Sequence, residues 1–244
     1  MLKDFFSVPV YIHNFNYDTN LLSKSCFQYM TDNREVIEKK AGQDIKSIYD
    51  LQLTWVKDEI KVNTGGFEEP KYSISNSYKL DNIDVWNNLL SDFEKHANEF
   101  VKNFYNKKLK ISEFWVNVSR KNNFVQPHVH PKSVFTGVYY IQSSENCGDL
   151  RMENPFATQL QMTGELKPPY TKYNTSYWKF PPIENRLYLF HSWLRHSVEV
   201  NYSDVPRLSL SFNMVEENVV YNMHERGFTH KKKPGQENIK WKIL

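Results

Sequence analysis

The chain has 244 residues, 40% of them apolar, and its 31 Lys and Arg against 28 Asp and Glu give a net charge of +3. A chain of this length can bury a sizeable core in one large domain or two small ones; so small a charge gives no argument for nucleic acid, and with no apolar run of about 18 residues no membrane-spanning helix is expected. The opening MLKDFFSVPVYIHNF shows no charged leader or cleavage site, and two cysteines, Cys26 and Cys147, without CxxC spacing suit a reducing, cytoplasmic setting rather than a disulfide framework.

In chain order, FFSVPVYIHNF has strand character, and NLLSKSCFQYMTDNREVIEKKAG after it has helical composition with Gly42 as terminator. KSIYDLQLTWVKDEIKV reads as extended, and NTGGFEEPKYSISNS, rich in breakers, reads as a surface loop. The strongest periodicity lies in DNIDVWNNLLSDFEKHANEFVKNFYNKKLK. There Val85, Trp86, Leu89, Leu90, Phe93, Ala97, Phe100, Val101 and Phe104 recur at three-and-four spacing, with Asp81 as a cap. Such a stripe packs against a sheet and is not a ligand box.

From Ile111 the texture changes to short β-rich runs between turn residues: EFWVNVS, SVFTGVYYI, GDLRMEN, SYWKF, NRLYLFHS, HSVEVN and RLSLSFNMV. This predicts an α+β, mainly β chain: an antiparallel sandwich or barrel of about eight strands with the N-terminal helices packed on one side. No domain boundary is evident. The chain is expected to be one domain made of a supporting region (1–110), a β-core (111–215) and a basic tail (216–244) whose HKKKPG is a solvated segment.

Only eight histidines occur, and QPHVHP places His128 and His130 two apart, where residues of a strand share a face and can present ring nitrogens to one point. His196, in LRHSVEVN, begins a later strand and supplies a third ring. Three such ligands can hold one face of an octahedral metal and leave the other positions open. His191 lies in the same connection and is expected to support or pack rather than ligate. In RLSLSFN, Arg207, Ser209, Ser211 and Asn213 share one face and Leu208, Leu210 and Phe212 the other. If the polar face points into a barrel, Arg207 is a buried cation with no carboxylate nearby in sequence, a costly arrangement unless an anion meets it, and its fork suits a ligand carboxylate. On an outward-facing strand the same arginine would simply be exposed.

The stretches FWVNVSRKNNFVQPHVHPKSVFTGVYYIQSSENCGDLRMENPF and LYLFHSWLRHSVEVNYSDVPRLSLSFN resemble the iron(II)- and 2-oxoglutarate-dependent oxygenase superfamily, and within it a prolyl-hydroxylase-like group found in bacteria and phages. The resemblance is most specific from Phe114 to Asn213 and extends to FFSVPVY. It implies a double-stranded β-helix core of the jelly-roll or cupin type. It makes His128, His130 and His196 the Fe(II) ligands, and Arg207 with Ser209 the anchor for the far carboxylate of 2-oxoglutarate, with O2 as oxidant. Tyr140 would add its hydroxyl to that anchor, although its neighbour Tyr139 competes for the inward position. Trp115, Asn117 and Asn213 would form the pocket wall, with a core role favoured for Trp115, and Leu150 and Met152 would line the pocket or fill the core. The superfamily pattern is His-x-Asp/Glu followed by a distal His, so His130 stands where a carboxylate is usual; Asp149 or Glu153 could supply that carboxylate instead.

The activity so implied is hydroxylation of an unactivated C–H with release of succinate and CO2. A peptide or protein residue is preferred over a small molecule as substrate, and the loops QSSENCGD and TGELKPPYTKYNTSYWKFPPIEN are expected at the mouth. No membrane or nucleic-acid partner is implied, and a homodimer is compatible with the sequence. Two rivals keep the same barrel: a three-histidine dioxygenase that does not use 2-oxoglutarate, and a non-catalytic binding module. The orientation of Arg207 discriminates among them.

Overall fold

The computed structural model describes residues 7–32, 35, 52–56, 59–63, 73–75, 84–102, 104–162, 164–220 and 229–230. The strands and helices are β1 Tyr11–Asn14, α1 Thr19–Asp32, β2 Gln52–Val56, β3 Glu59–Asn63, β4 Ser73–Ser75, α2 Asp84–Val101, β5 Leu109–Ser119, β6 Val125–His128, β7 Phe135–Gln142, β8 Leu150–Glu153, α3 Ala157–Met162, β9 Tyr177–Phe180, β10 Arg186–His191, β11 His196–Val198 and β12 Arg207–Glu216. A short ladder of β13 Val219–Val220 with β14 Thr229–His230 follows, so the tail read as a solvated segment carries some pairing; the HKKKPG residues beyond His230 lie outside the described residues.

Eight strands, β5 to β12, form the core in two sheets. In the larger sheet β10-β7-β12-β5 are neighbours, and in the smaller the order is β6-β11-β8-β9. The chain crosses from one sheet to the other at nearly every connection, β8 to β9 being the exception, which is the winding of a double-stranded β-helix. The larger sheet grows at both edges, with β1 beside β10 and β2-β3-β4 beside β5. Part of the N-terminal region therefore extends the sheet as well as covering it. β4 falls inside the stretch read as loop, which the sequence disguised because only three residues pair there.

Two-faced burial explains the sequence of β12, whose residues are buried from Arg207 to Val215. Leu208, Leu210, Phe212 and Met214 turn outward to the helices and join one apolar cluster with Phe114, Val116 and Val118 of β5 and with Trp86, Leu89, Phe93, Ala97 and Val101 of α2. The predicted stripe of α2 is thus the face that packs on the sheet, and the Phe93 ring stacks on Phe212 at 5.0 Å. Phe104 departs from the stripe: α2 ends at Val101, and Phe104 lies half-exposed, edge-on to Phe100. The expected cap Asp81 and terminator Gly42 lie outside the described residues. Helix α1 is capped by Asp18, whose carboxylate accepts the Leu21 N–H at 3.0 Å, and it buries Leu22 and Cys26.

A second cluster fills part of the barrel interior: Val138, Tyr140, Leu150, Met152, Tyr188, Phe190 and Leu194. Leu150 and Met152, expected as lining or core, belong to it. Gly137 of β7 lies opposite Phe212 of β12, and a Cβ there would stand 2.2 Å from the Phe212 ring. The absence of a side chain lets Phe212 lie flat between β7 and Phe93. Gly137→Ala therefore overpacks this layer and is expected to cost about 1–3 kcal/mol in urea unfolding, with Phe212→Leu in the same chain recovering part of the loss.

Candidate metal and anion site

His128 ends β6 and His196 begins β11, and the two face each other in antiparallel register. Each ring is oriented by its own backbone: His128 Nδ1 donates to the Gln126 carbonyl at 2.7 Å and His196 Nδ1 to the Leu194 carbonyl at 2.8 Å, which leaves Nε2 as the atom with a free lone pair. His130 is not in the strand, a correction to the same-face reading. β6 stops at His128, and the His130 N–H goes instead to the Ser192 carbonyl at 2.9 Å.

The three rings nevertheless converge. Nε2 of His130 lies 3.2 Å from Nε2 of His196, and one ligand atom from each of His128, His130 and His196 falls within 4.8 Å of the others, an arrangement that could hold a metal ion. Among the described residues no carboxylate joins this group. Glu153, one alternative, instead pairs with Arg195 at 3.1 Å. Burial holds all three imidazoles below their ordinary pKa, His130 at about 3 and His196 at about 4; neighbouring histidines add to the effect on those two, and Arg195 adds to it on His128. Near neutral pH all three are neutral rings, the form that binds metal. His191 stands apart: its ring is 4.4 Å from Phe135 and stacks on Trp193 at 5.4 Å, so it packs.

Trp115, Asn117 and Ser119 of β5 pair with Ser211, Ser209 and Arg207 of β12 and turn to the barrel side. Trp115 is half-buried with its ring 5.6 Å from that of His130, so it walls the histidine site and does not fill the core as expected. Asn117 Nδ2 donates to Ser211 Oγ at 3.3 Å. Asn213 is also inward but is bonded into the scaffold, accepting from Thr136 Oγ1 at 2.8 Å.

Arg207 is 2% exposed and points inward. Its Nη1 donates to the backbone carbonyls of Cys147 and Gly148, and among the described residues no carboxylate pairs with it. Gly148, with φ of +86°, makes this cradle possible: an added Cβ would stand 2.3 Å from the Glu199 carbonyl oxygen. Burial lowers the Arg207 pKa, and the neighbouring Tyr140, Cys147 and Asp149 oppose that. Tyr140 pairs with Ser209 and turns into the barrel, where its hydroxyl is buried without a hydrogen-bond partner. Tyr139 faces the helices instead and donates to Asn185 Oδ1 at 2.6 Å, which resolves the choice between the two tyrosines. Ser211, level with Trp115 and the histidines, is four residues from Arg207, about 13 Å of strand. A guanidinium hydrogen-bonded to backbone carbonyls and to no carboxylate, a partnerless phenol and a nearby hydroxyl form a cradle for an anion, reached from the three-histidine site along one face of β12.

Sequence reasoning missed the Cys147–Gly148 carbonyl cradle and Ser192. The first had a signal in the glycine of CGDL; the second, a serine in a tight turn, had none.

Residues 113–213 match the model of the family described as "Putative 2OG-Fe(II) oxygenase", which bears out the resemblance read from the sequence. No curated protein matches the chain. Among solved structures, HygX from Streptomyces hygroscopicus, with nickel and 2-oxoglutarate bound, is similar at 9% identity and a TM-score of 0.51, covering 86% of this chain and 83% of that one. The non-heme alpha ketoglutarate dependent carbocyclase SnoK from nogalamycin biosynthesis is similar at 9% identity and a TM-score of 0.51, over 92% and 82%. A 2OG-Fe(II) oxygenase family oxidoreductase from Burkholderia pseudomallei gives 13% identity and a TM-score of 0.42 over 56% of this chain, which spans 58% of that protein. The first two likenesses bear out the double-stranded β-helix fold.

Because folded His130 and His196 take up protons only near pH 3–4 whereas unfolded histidine does so near 6.5, the unfolded chain binds more protons between those values. Their contribution is to make the metal-free protein lose stability as pH falls from 6.5 toward 4, and thermal unfolding across that range checks it.

Proposed function

We propose that the chain is an Fe(II)- and 2-oxoglutarate-dependent oxygenase, with His128, His130 and His196 as metal ligands and Arg207, Ser209 and Tyr140 as the anchor for the far carboxylate of the co-substrate. The observation that carries this reading is Arg207: a guanidinium buried inside the barrel, on the face of β12 that leads to the three histidines, beside a phenol hydroxyl with no protein partner. A dicarboxylic acid fits both ends, because its far carboxylate neutralises Arg207 and accepts from Tyr140 while its keto-acid end meets the metal. When bound, iron would activate O2, the oxidant, with 2-oxoglutarate supplying two electrons as it is converted to succinate and CO2, and the oxidising power so gained would be directed at an unactivated C–H bond.

The chain's own part is placement. The Gln126 and Leu194 carbonyls fix two imidazoles with Nε2 toward one point, and burial keeps the rings unprotonated. The Cys147 and Gly148 carbonyls aim the guanidinium. The apolar cluster of Tyr188, Phe190, Leu194 and Met152 closes the barrel to water behind His196. Trp115, with its half-exposed ring beside His130, is the wall a substrate meets. Hydroxylation is the outcome we favour, and a peptide or protein residue is the substrate class suggested by the prolyl-hydroxylase-like resemblance. Two buried, unpaired cysteines, Cys26 and Cys147, support a reducing, cytoplasmic location, and among the described residues no helix is long and apolar enough to cross a membrane.

The inward orientation of Arg207 disfavours any rival whose ligand carries no anion, because nothing would then offset the cost of the buried cation.

Anaerobic addition of Fe(II) and 2-oxoglutarate to the purified protein is expected to give a visible charge-transfer band, and admission of air to give succinate. Arg207→Gln should weaken 2-oxoglutarate binding by about 10- to 1,000-fold with Ni(II) affinity unchanged, and Tyr140→Phe by about tenfold. No band and no succinate from the wild type would sink the reading.

A further inference from the structure

His128 and His196 are each held by a bond from Nδ1 to a backbone carbonyl two residues earlier, and among the described residues His130 has no such restraint. Its position depends on the turn that carries it, which lies between β6 and β7 and passes through Lys132 in the left-handed region at φ of +69°. Both ends of that turn are tied to one residue. Ser192 accepts the His130 N–H on its carbonyl at 2.9 Å and donates its own N–H to the Val134 carbonyl at 3.1 Å.

Ser192 is itself fixed by side chains. Thr136 Oγ1 lies 2.8 Å from Asn213 Oδ1 and 2.9 Å from Ser192 Oγ. An amide oxygen only accepts, so the single proton of Thr136 goes to Asn213, and the Ser192 hydroxyl must donate to Thr136. The chain of bonds runs one way, from Ser192 through Thr136 to Asn213. Ser192 and Thr136 are fully buried and Asn213 is 4% exposed, so water does not compete for these bonds. Thr136 and Asn213 are directly paired on neighbouring strands of the larger sheet, which gives the chain a rigid base.

We propose that Ser192, locked by Thr136 and Asn213, is the positioning residue for His130: it transfers the rigidity of the larger sheet to the one metal ligand that lies outside any strand. The inference rests on the metal reading of the three histidines given above. It assigns a task to three polar residues that touch neither metal nor co-substrate and that an apolar interior would otherwise exclude. Support shells of this kind govern how tightly a ligand set closes on its ion.

The test uses Ni(II) and Co(II) alone, without 2-oxoglutarate, on the full chain. Thr136→Val, which keeps the shape and removes the hydroxyl, is expected to weaken Ni(II) binding by about 10- to 100-fold, and Thr136→Ser to restore most of it. In a His130→Ala background Thr136→Val should cause no further loss, and the visible Co(II) spectrum of the Thr136→Val protein should approach that of the His130→Ala protein. If Thr136→Val does not fold, Ser192→Ala is measured in the same two backgrounds. Unchanged affinity in a variant with wild-type circular dichroism, or an equal loss with and without His130, overturns the inference. A wild type that binds no Ni(II) brings down the metal reading itself, a result distinct from binding that is indifferent to Thr136.

Discussion

A permanent positive charge inside a β-barrel constrains everything around it. Arg207 cannot shed its proton at any relevant pH, and its burial is tolerable only because the loop before β8 turns two carbonyls toward it. That loop in turn requires Gly148, whose left-handed backbone and missing side chain allow it to pass against the Glu199 carbonyl. The polar face of β12, the tyrosine at the matching position of β7 and the cradle beyond them form a single electrostatic arrangement. The apolar face of the same strand serves the opposite need, anchoring α2 and fixing the curvature against which the interior is built.

The interior therefore divides into two regions. One is dry and aromatic, around Tyr188 and Phe190 behind His196, and the other is lined by hydroxyls and amides along β12 and β5. Neutral imidazoles sit where the two meet. Their depressed pKa values follow from that border, because desolvation on the dry side penalises the charged form and the neighbouring rings add to the penalty.

Much of this was legible in the residues. The eight core strands announced themselves through alternation and turn residues, and the inward face of β12 through the contrast of Arg207, Ser209, Ser211 and Asn213 with Leu208, Leu210 and Phe212. What stayed hidden was phase and reach. Nothing in EFWVNVS says which of its two faces meets the helices, so the residues favour a core role over the pocket wall for Trp115, whereas its partners across the ladder put it on the wall beside His130. GVYYI left Tyr139 and Tyr140 undecided until their register with Leu210 and Ser209 separated them. The spacing of QPHVHP suggested two ligands on one strand face, and nothing in those residues says that the ladder ends at His128, since β6 runs through Pro127.

His130, being borne by a turn and not by a strand, occupies the one corner of the histidine cluster that can change without disturbing the barrel. His128 and His196 are bound into ladder positions, where altering reach or angle means altering strand register. The turn after β6 belongs to the ladder of neither sheet. An imidazole there, where the superfamily pattern has a carboxylate, leaves the cluster one negative charge poorer. The fold thus places the one histidine that departs from the superfamily pattern on a segment that strand register does not fix.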